Sequence, residues 1–339
     1  MEILSEFLAL QWLGKPAYAW ALFAGVVLVL LALDLGVLHR KSREIGVRES
    51  LVLSAGYITV ALLFGAWIWW SMGPVPGMDY MTGFFIEKSL SLDNVFVISL
   101  IFGYFAIPRE YQHRVLFWGI VGVIVLRGIM IGLGAALVSE FHWVLYVFGA
   151  FLVFTGIKML LVSDHAPDIA GNPVLKLVRR VIKVTPEMHG NRFFVRLPDA
   201  ARPGATTLWA TPLFLALLLV ETADLIFAVD SVPAIFAITT DPFIVYTSNI
   251  FAILGLRALY FALAALVHRF AYLKYALAAV LVFVGGKIFW NQLVGKVDPA
   301  ISLSVTLGLL TAGVVVSLIK TRGGEPGADL PPAARQAAE

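Results

Sequence analysis

The sequence is dominated by runs of about 20 apolar residues, the length that crosses a bilayer as a helix. In hydrocarbon every backbone N–H and C=O must be satisfied within the protein, so only helices and closed barrels can span it. Unbroken 20-residue runs, as opposed to ten-residue stretches of alternating hydropathy, select helices. We read nine spans, at roughly 17–38, 50–70, 81–106, 115–137, 142–161, 208–239, 246–267, 272–292 and 299–319. Composition agrees: 60% of the 339 residues are hydrophobic and 14% are charged, against about 25% charged in soluble domains. The predicted fold class is an all-α polytopic membrane protein. The first span follows Glu2 and Glu6 with neither a basic segment nor a small-residue cleavage site, so it is expected to stay as a helix.

Lysine and arginine collect in cytoplasmic loops and thereby report orientation. Arg40, Lys41, Arg43 and Arg48 follow span one. Arg109 and Arg114, a basic segment between 176 and 202, Arg269 and Lys274, and Lys320, Arg322 and Arg335 occupy later alternate loops and the tail. The opposite side carries only Lys15 and Lys296. An outside N-terminus and a cytoplasmic C-terminus follow. The absence of cysteine excludes disulfides and thiolate metal sites. In the loop 163–207, Val174 to Val184 segregates apolar and basic residues at helical spacing, which predicts a short helix lying on the anionic inner leaflet. Residues 321–339 are rich in Gly, Pro and Ala and predict a disordered tail.

Against this apolar background the stretch Val220-Glu-Thr-Ala-Asp-Leu-Ile-Phe-Ala-Val-Asp-Ser-Val-Pro233 is anomalous. A charged side chain at the bilayer centre costs about 2.5–3.5 kcal/mol on insertion scales, so Glu221, Asp224 and Asp230 need partners or a role. Glu87 to Val95 repeats the arrangement of Asp224 to Val232: acid, five residues, acid, a small polar residue, valine. Val125-Leu-Arg127 likewise resembles Gly255-Leu-Arg257, and Leu152-Val-Phe-Thr-Gly-Ile-Lys158 resembles Leu281-Val-Phe-Val-Gly-Gly-Lys287. A three-span unit repeated across one cytoplasmic loop must enter the membrane from opposite sides. The expected organisation is two N-terminal helices (1–80), a first repeat (81–162), the loop (163–207), an inverted second repeat (208–293), a ninth helix (294–320) and the tail. Inverted repeats of this kind place transport sites at their interface near the midplane.

Glu221 and Asp224 share a helix face, whereas Asp230 lies about 240° around an ideal helix from Asp224. Pro233 removes a backbone donor, and breaks are expected near Asp230 to Pro233 and near Asp93-Asn94. Carboxylates, the Asn94 amide, the Ser231 hydroxyl and freed carbonyls form an all-oxygen donor set, which suits Mg²⁺, Ca²⁺ or Mn²⁺ better than Cu or Zn. Lys88, Arg127 and Arg257 can balance part of the charge, but Glu87, Asp93, Glu221, Asp224 and Asp230 outnumber them by two, the complement of one divalent cation or two protons. Asp34, about a turn inside the cytoplasmic boundary, reads as a snorkelling or pathway residue, and Asn249 as a further pathway residue.

The segments 87–97, 227–237 and 241–257 resemble the TerC integral membrane family, closest to its Alx branch, across all nine spans. The resemblance implies a bacterial inner-membrane exporter of manganese, with Glu87, Asp93, Asn94, Glu221, Asp224 and Asp230 as metal-site positions. The expectation is a secondary transporter that moves Mn²⁺ out of the cytoplasm, in exchange for protons, with no organic cofactor and no nucleic-acid partner. No Gly-rich nucleotide loop argues for direct ATP drive, and no nucleophile and base pair argues for an enzyme. The alternatives are a membrane partner that hands metal to exported, secretion-associated proteins, or a Ca²⁺ transporter.

Overall fold

The computed structural model describes residues 11–36, 47–161, 169, 171–198, 206–263 and 272–321. Helices α1 (Ala17–Gly36), α2 (Val47–Met72), α3 (Pro74–Tyr104), α4 (Arg109–Glu140) and α5 (Val144–Leu161) are followed by the short α6 (Pro173–Val181). Then come α7 (Pro212–Phe236), α8 (Pro242–Leu254), α9 (Leu256–Leu263), α10 (Leu273–Leu293) and α11 (Pro299–Lys320). The protein is an all-α polytopic membrane protein. Among the described residues, seven segments are long and apolar enough to cross a membrane. The described part of the first span, Ala17–Leu33, is shorter, and α3 is long enough at 31 residues but carries Glu87, Lys88 and Asp93. The side chains of Asp34 and Arg257, residues 264–267 of the seventh span and the predicted disordered tail from 322 lie outside the described residues.

The helix starts follow from local sequence. Five of them open on proline, whose missing N–H is not needed in the first turn: Pro74, Pro173, Pro212, Pro242 and Pro299. Asp241 and Asp298 supply side-chain caps, accepting from the backbone N–H of Phe243 at 3.0 Å and of Ala300 at 2.7 Å. Gly73, between α2 and α3, has φ +100°, which only glycine adopts without strain. The same end of the bundle is tied by an ion pair of 2.8 Å between Lys15, before α1, and Asp241.

The expected helix breaks are corrected by the structure. α3 runs unbroken through Asp93 and Asn94, and α7 continues past Pro233 to Phe236. Pro233 lies inside α7, three residues before its end, and the helix is continuous through Asp230. The interruption falls instead in the seventh span, at Gly255, between α8 and α9. A Cβ at Gly255 would lie 3.2 Å from the Tyr57 Cβ and 2.8 Å from Lys88 Nζ, so the break gives both side chains room against the backbone.

The packing is pairwise. α4 packs on α7 as α3 packs on α8, and α5 packs along α10 in the most extensive helix pair. Within that pair Gly149 meets the backbone of Gly285, while Gly156 meets that of Ala278. In the register that matches Leu152–Lys158 with Leu281–Lys287, these two contacts are equivalents of each other. Reciprocal contacts of this kind are what a pseudo-twofold axis between two three-helix units requires. α3 lies innermost with α8, touching α2, α7, α8 and α11, and outward faces carry apolar side chains such as Leu63, Leu133 and Phe154.

The glycine contacts generate a test. A Cβ on Gly156 would sit 2.7 Å from the Ala278 carbonyl oxygen, whereas one on Gly286 meets nothing within 4 Å. Overpacking costs about 1–3 kcal/mol, so Gly156→Ala should lower the melting temperature of detergent-purified protein by several degrees, and Gly286→Ala should leave it unchanged. Equal melting curves for the two variants would contradict the close crossing.

Candidate metal centre

The buried acidic residues converge on one guanidinium. Arg127 projects from the middle of α4 and is 1% exposed. Its Nε donates to Asp224 Oδ2 at 3.1 Å and its Nη2 to Asp224 Oδ1 at 2.9 Å, a bidentate pair with α7. Its Nη1 donates to Glu87 Oε1 of α3, to Ser231 Oγ of α7 at 3.1 Å and to Asn249 Oδ1 of α8 at 2.9 Å. Asn249 Nδ2 closes the ring by donating to Glu87 Oε2 at 3.1 Å, and Asn94 Nδ2 donates to Asp224 Oδ1 at 3.3 Å. Helical spacing explains the partnership within α7: Ser231 lies seven residues, two turns, after Asp224 and so shares its face.

The three α7 carboxylates separate as an unbroken helix demands. Glu221 lies against the glycine face of α4, where a Cβ on Gly122 would come within 2.6 Å of its Oε2. That oxygen is buried and has no hydrogen-bond partner. Asp230 turns to α5, accepting from Thr155 Oγ1 at 3.4 Å. Beside Asp230, and not reached by Glu221, is a cavity of about 110 Å³ whose polar lining is Glu87, Asp93, Asn94, Arg127, Asp230 and Ser231. It has room for a metal ion and a few waters. The Oδ1 of Asn94, which borders the cavity, is a buried acceptor without a donor. Among the described residues no three Asp, Glu or His side chains form a ready-made metal cage. In this conformation the cation between Glu87 and Asp224 is the guanidinium itself.

Of the expected charge-balancing residues, Arg127 pairs with two carboxylates and Lys88 does not reach the cluster. Lys88 Nζ donates to the Ala252 carbonyl at 3.1 Å, near the end of α8, where a cation is favoured by the helix dipole. Adjacent residues on a helix diverge by about 100°, so Glu87 and Lys88 cannot serve one site. Asn249, read from sequence as a pathway residue, is a direct partner of both Arg127 and Glu87. Thr155 was not anticipated; the signal for it was its place in the repeated motif Leu152–Lys158.

Residues 72–325 match the integral membrane protein TerC family. The protein belongs to the TerC family. It is 52% identical over 309 residues to an uncharacterized membrane protein of Myxococcus xanthus, covering 91% of this chain and 94% of that one. It is 47% identical over 302 residues to an uncharacterized membrane protein of Rickettsia bellii, covering 89% and 97%. It is 45% identical over 313 residues to an Escherichia coli K12 protein named as a candidate membrane-bound redox modulator, Alx, covering 90% and 95%. No solved structure matches the chain. The resemblance read from the three intramembrane motifs is thus borne out at the level of the family.

The geometry predicts how the cluster fails. Removing one partner of a buried ion pair costs about 3–5 kcal/mol because it strands the other charge, so Arg127→Gln should sharply reduce the folded protein recovered from membranes. Adding Glu87→Gln to that variant should restore part of it, since one stranded carboxylate is then neutral. Fluorescence-detected size exclusion measures both, and a double variant no better than the single would contradict the pairing.

Proposed function

We propose that the protein is a secondary transporter that exports a divalent cation, Mn²⁺ by preference, from the cytoplasm across the inner membrane in exchange for protons. The observation that carries this reading is the cavity between helices α3, α4, α5, α7 and α10, walled by Glu87, Asp93 and Asp230 with the side chains of Asn94 and Ser231. Hard oxygen donors with excess negative charge suit Mn²⁺, Mg²⁺ or Ca²⁺. Such residues at membrane depth are costly enough to be kept for function. The TerC resemblance favours manganese among these metals.

Proton exchange is supported by Glu221. A buried carboxylate oxygen without a donor is costly as an anion, and Glu221 shares a helix face with Asp224. It is therefore the cluster member best placed to take a proton when metal leaves. Its aligned position in the first repeat is Phe84, so it stands outside the paired ligand set. The redox role in the name of the Alx relative does not require thiol exchange here, because the chain has no cysteine; control of metal level is a route by which such a protein would affect redox balance.

Two measurements follow. Asp93→Asn and Asp230→Asn should each abolish Mn²⁺ flux into inverted vesicles while leaving a monodisperse folded protein; normal flux in either would contradict the paired-centre reading. In proteoliposomes at fixed metal gradient, reversing the pH gradient should reverse the stimulation of wild-type flux, because protons compete for the carboxylates and metal binding weakens as pH falls. Glu221→Gln should bind metal yet ignore the reversal. Wild-type flux indifferent to pH would exclude proton exchange.

A further inference from the structure

One end of the bundle holds a larger opening than the acidic cavity, and neither the ion cluster nor the family motifs account for it. A vestibule of about 740 Å³ is lined by Asp79 of α3, His142 of the α4–α5 turn, Thr239 beyond α7, Lys287 and Asn291 of α10, and Lys296 before α11. Asp79 and Thr239 are hydrogen-bonded through their side chains, and Lys287 Nζ donates to Ser302 Oγ at 3.1 Å. Thr240, Lys296 and the α4–α5 turn belong to the side that carries almost no basic loop residues, the outer side by the charge rule. Charged and polar side chains, Asp79, Lys287, Asn291 and Lys296 among them, line part of the vestibule.

The vestibule and the acidic cavity share helices but not walls. On α3, Asp79 lines the first and Glu87 the second; on α10, Ile288 lines the first and Leu281 the second. At 1.5 Å per residue these separations are about 12 and 10 Å. The intervening space is filled by Ile86, Leu152, Ala234, Leu281 and Val284, each no more than 1% exposed and part of one apolar cluster. A thin dry layer therefore parts two polar compartments. Its α5 and α10 walls meet through Gly149, Gly156 and Gly285, which bring backbone against backbone and against Leu152 and Val282.

We propose that this vestibule is the outer mouth of the cation path and that Ile86, Leu152, Leu281 and Val284 form its gate, closed in this conformation and opened by a shift of the α5–α10 pair. The inference rests on the transport reading above. Cation leaving the acidic cavity passes between α3 and α10 to reach Asp79.

The absence of cysteine makes the test direct. Thr240→Cys and Val75→Cys, both at the vestibule rim, and Leu152→Cys, in the layer, are made singly and treated in intact cells with a membrane-impermeant maleimide. The rim variants should label from outside, and a bulky maleimide adduct on either should lower Mn²⁺ export at least tenfold. Leu152→Cys should label at least tenfold more slowly than Thr240→Cys in metal-depleted protein, and faster during flux. Rim cysteines that react only after the cells are opened, an adduct that leaves export unchanged, or a Leu152→Cys rate equal to that at the rim would overturn the gate. Wild-type protein that moves no Mn²⁺ would overturn the transport reading and the gate with it. Normal wild-type flux that survives the adduct contradicts the gate alone.

Discussion

The structure depends on a buried guanidinium held between two carboxylates in a low-dielectric interior. Arg127 is fully buried, and its partners come from three other helices: Glu87 from α3, Asp224 and Ser231 from α7, and Asn249 from α8. Buried ion pairs seldom add net stability over an apolar replacement, but breaking one is severe. The cluster thus fixes how four helices meet and penalises every arrangement that leaves one charge alone. One guanidinium faces two carboxylates, with Asp93 and Asp230 on the adjoining cavity and Glu221 beside α4. A region arranged in this way attracts cations, and the positions where a cation would settle are those that Arg127 and the cavity occupy now.

This arrangement reconciles a seeming conflict between stability and transport. A metal ion that entered between Glu87 and Asp224 would have to displace Arg127 from five hydrogen bonds, whereas one in the adjoining cavity would meet Asp93, Asp230 and the unsatisfied Asn94 oxygen first. Entry beside the guanidinium followed by competition with it gives a physical link between occupancy and helix position, because Arg127 is the tie among α3, α4, α7 and α8. The glycine crossing of α5 and α10 lies outside the Arg127 tie, although Thr155 of α5 reaches Asp230 and Leu281 of α10 lines the same cavity.

Much of this was legible in the sequence because the bilayer makes a chain explicit. Apolar runs marked the helices, with ends displaced by as much as seven residues, as at Pro74 where the third span was read from 81. Intramembrane charge marked the centre, and the repeated Glu87–Val95 and Asp224–Val232 motifs showed that two helices contribute equivalently. What failed to show was rotation and packing. Lys88 sits beside Glu87 in sequence and serves a different helix end. Pro233 looked like a midplane break but falls within the last turn of α7, while Gly255, unremarkable in sequence, interrupts the seventh span. The vestibule around Asp79 and Lys287 was invisible because its lining comes from five separated segments, none polar enough alone to stand out.

The central claim is that the cavity bounded by Glu87, Asp93 and Asp230 is where the transported cation rests. Anomalous diffraction at the manganese edge from crystals of the protein grown with Mn²⁺ tests it most directly. The account predicts one strong anomalous peak inside that cavity, within coordination distance of the Asp93 and Asp230 carboxylates, that disappears in Asp230→Asn. A peak confined to the vestibule or the surface, with the cavity empty at saturating Mn²⁺, would contradict it.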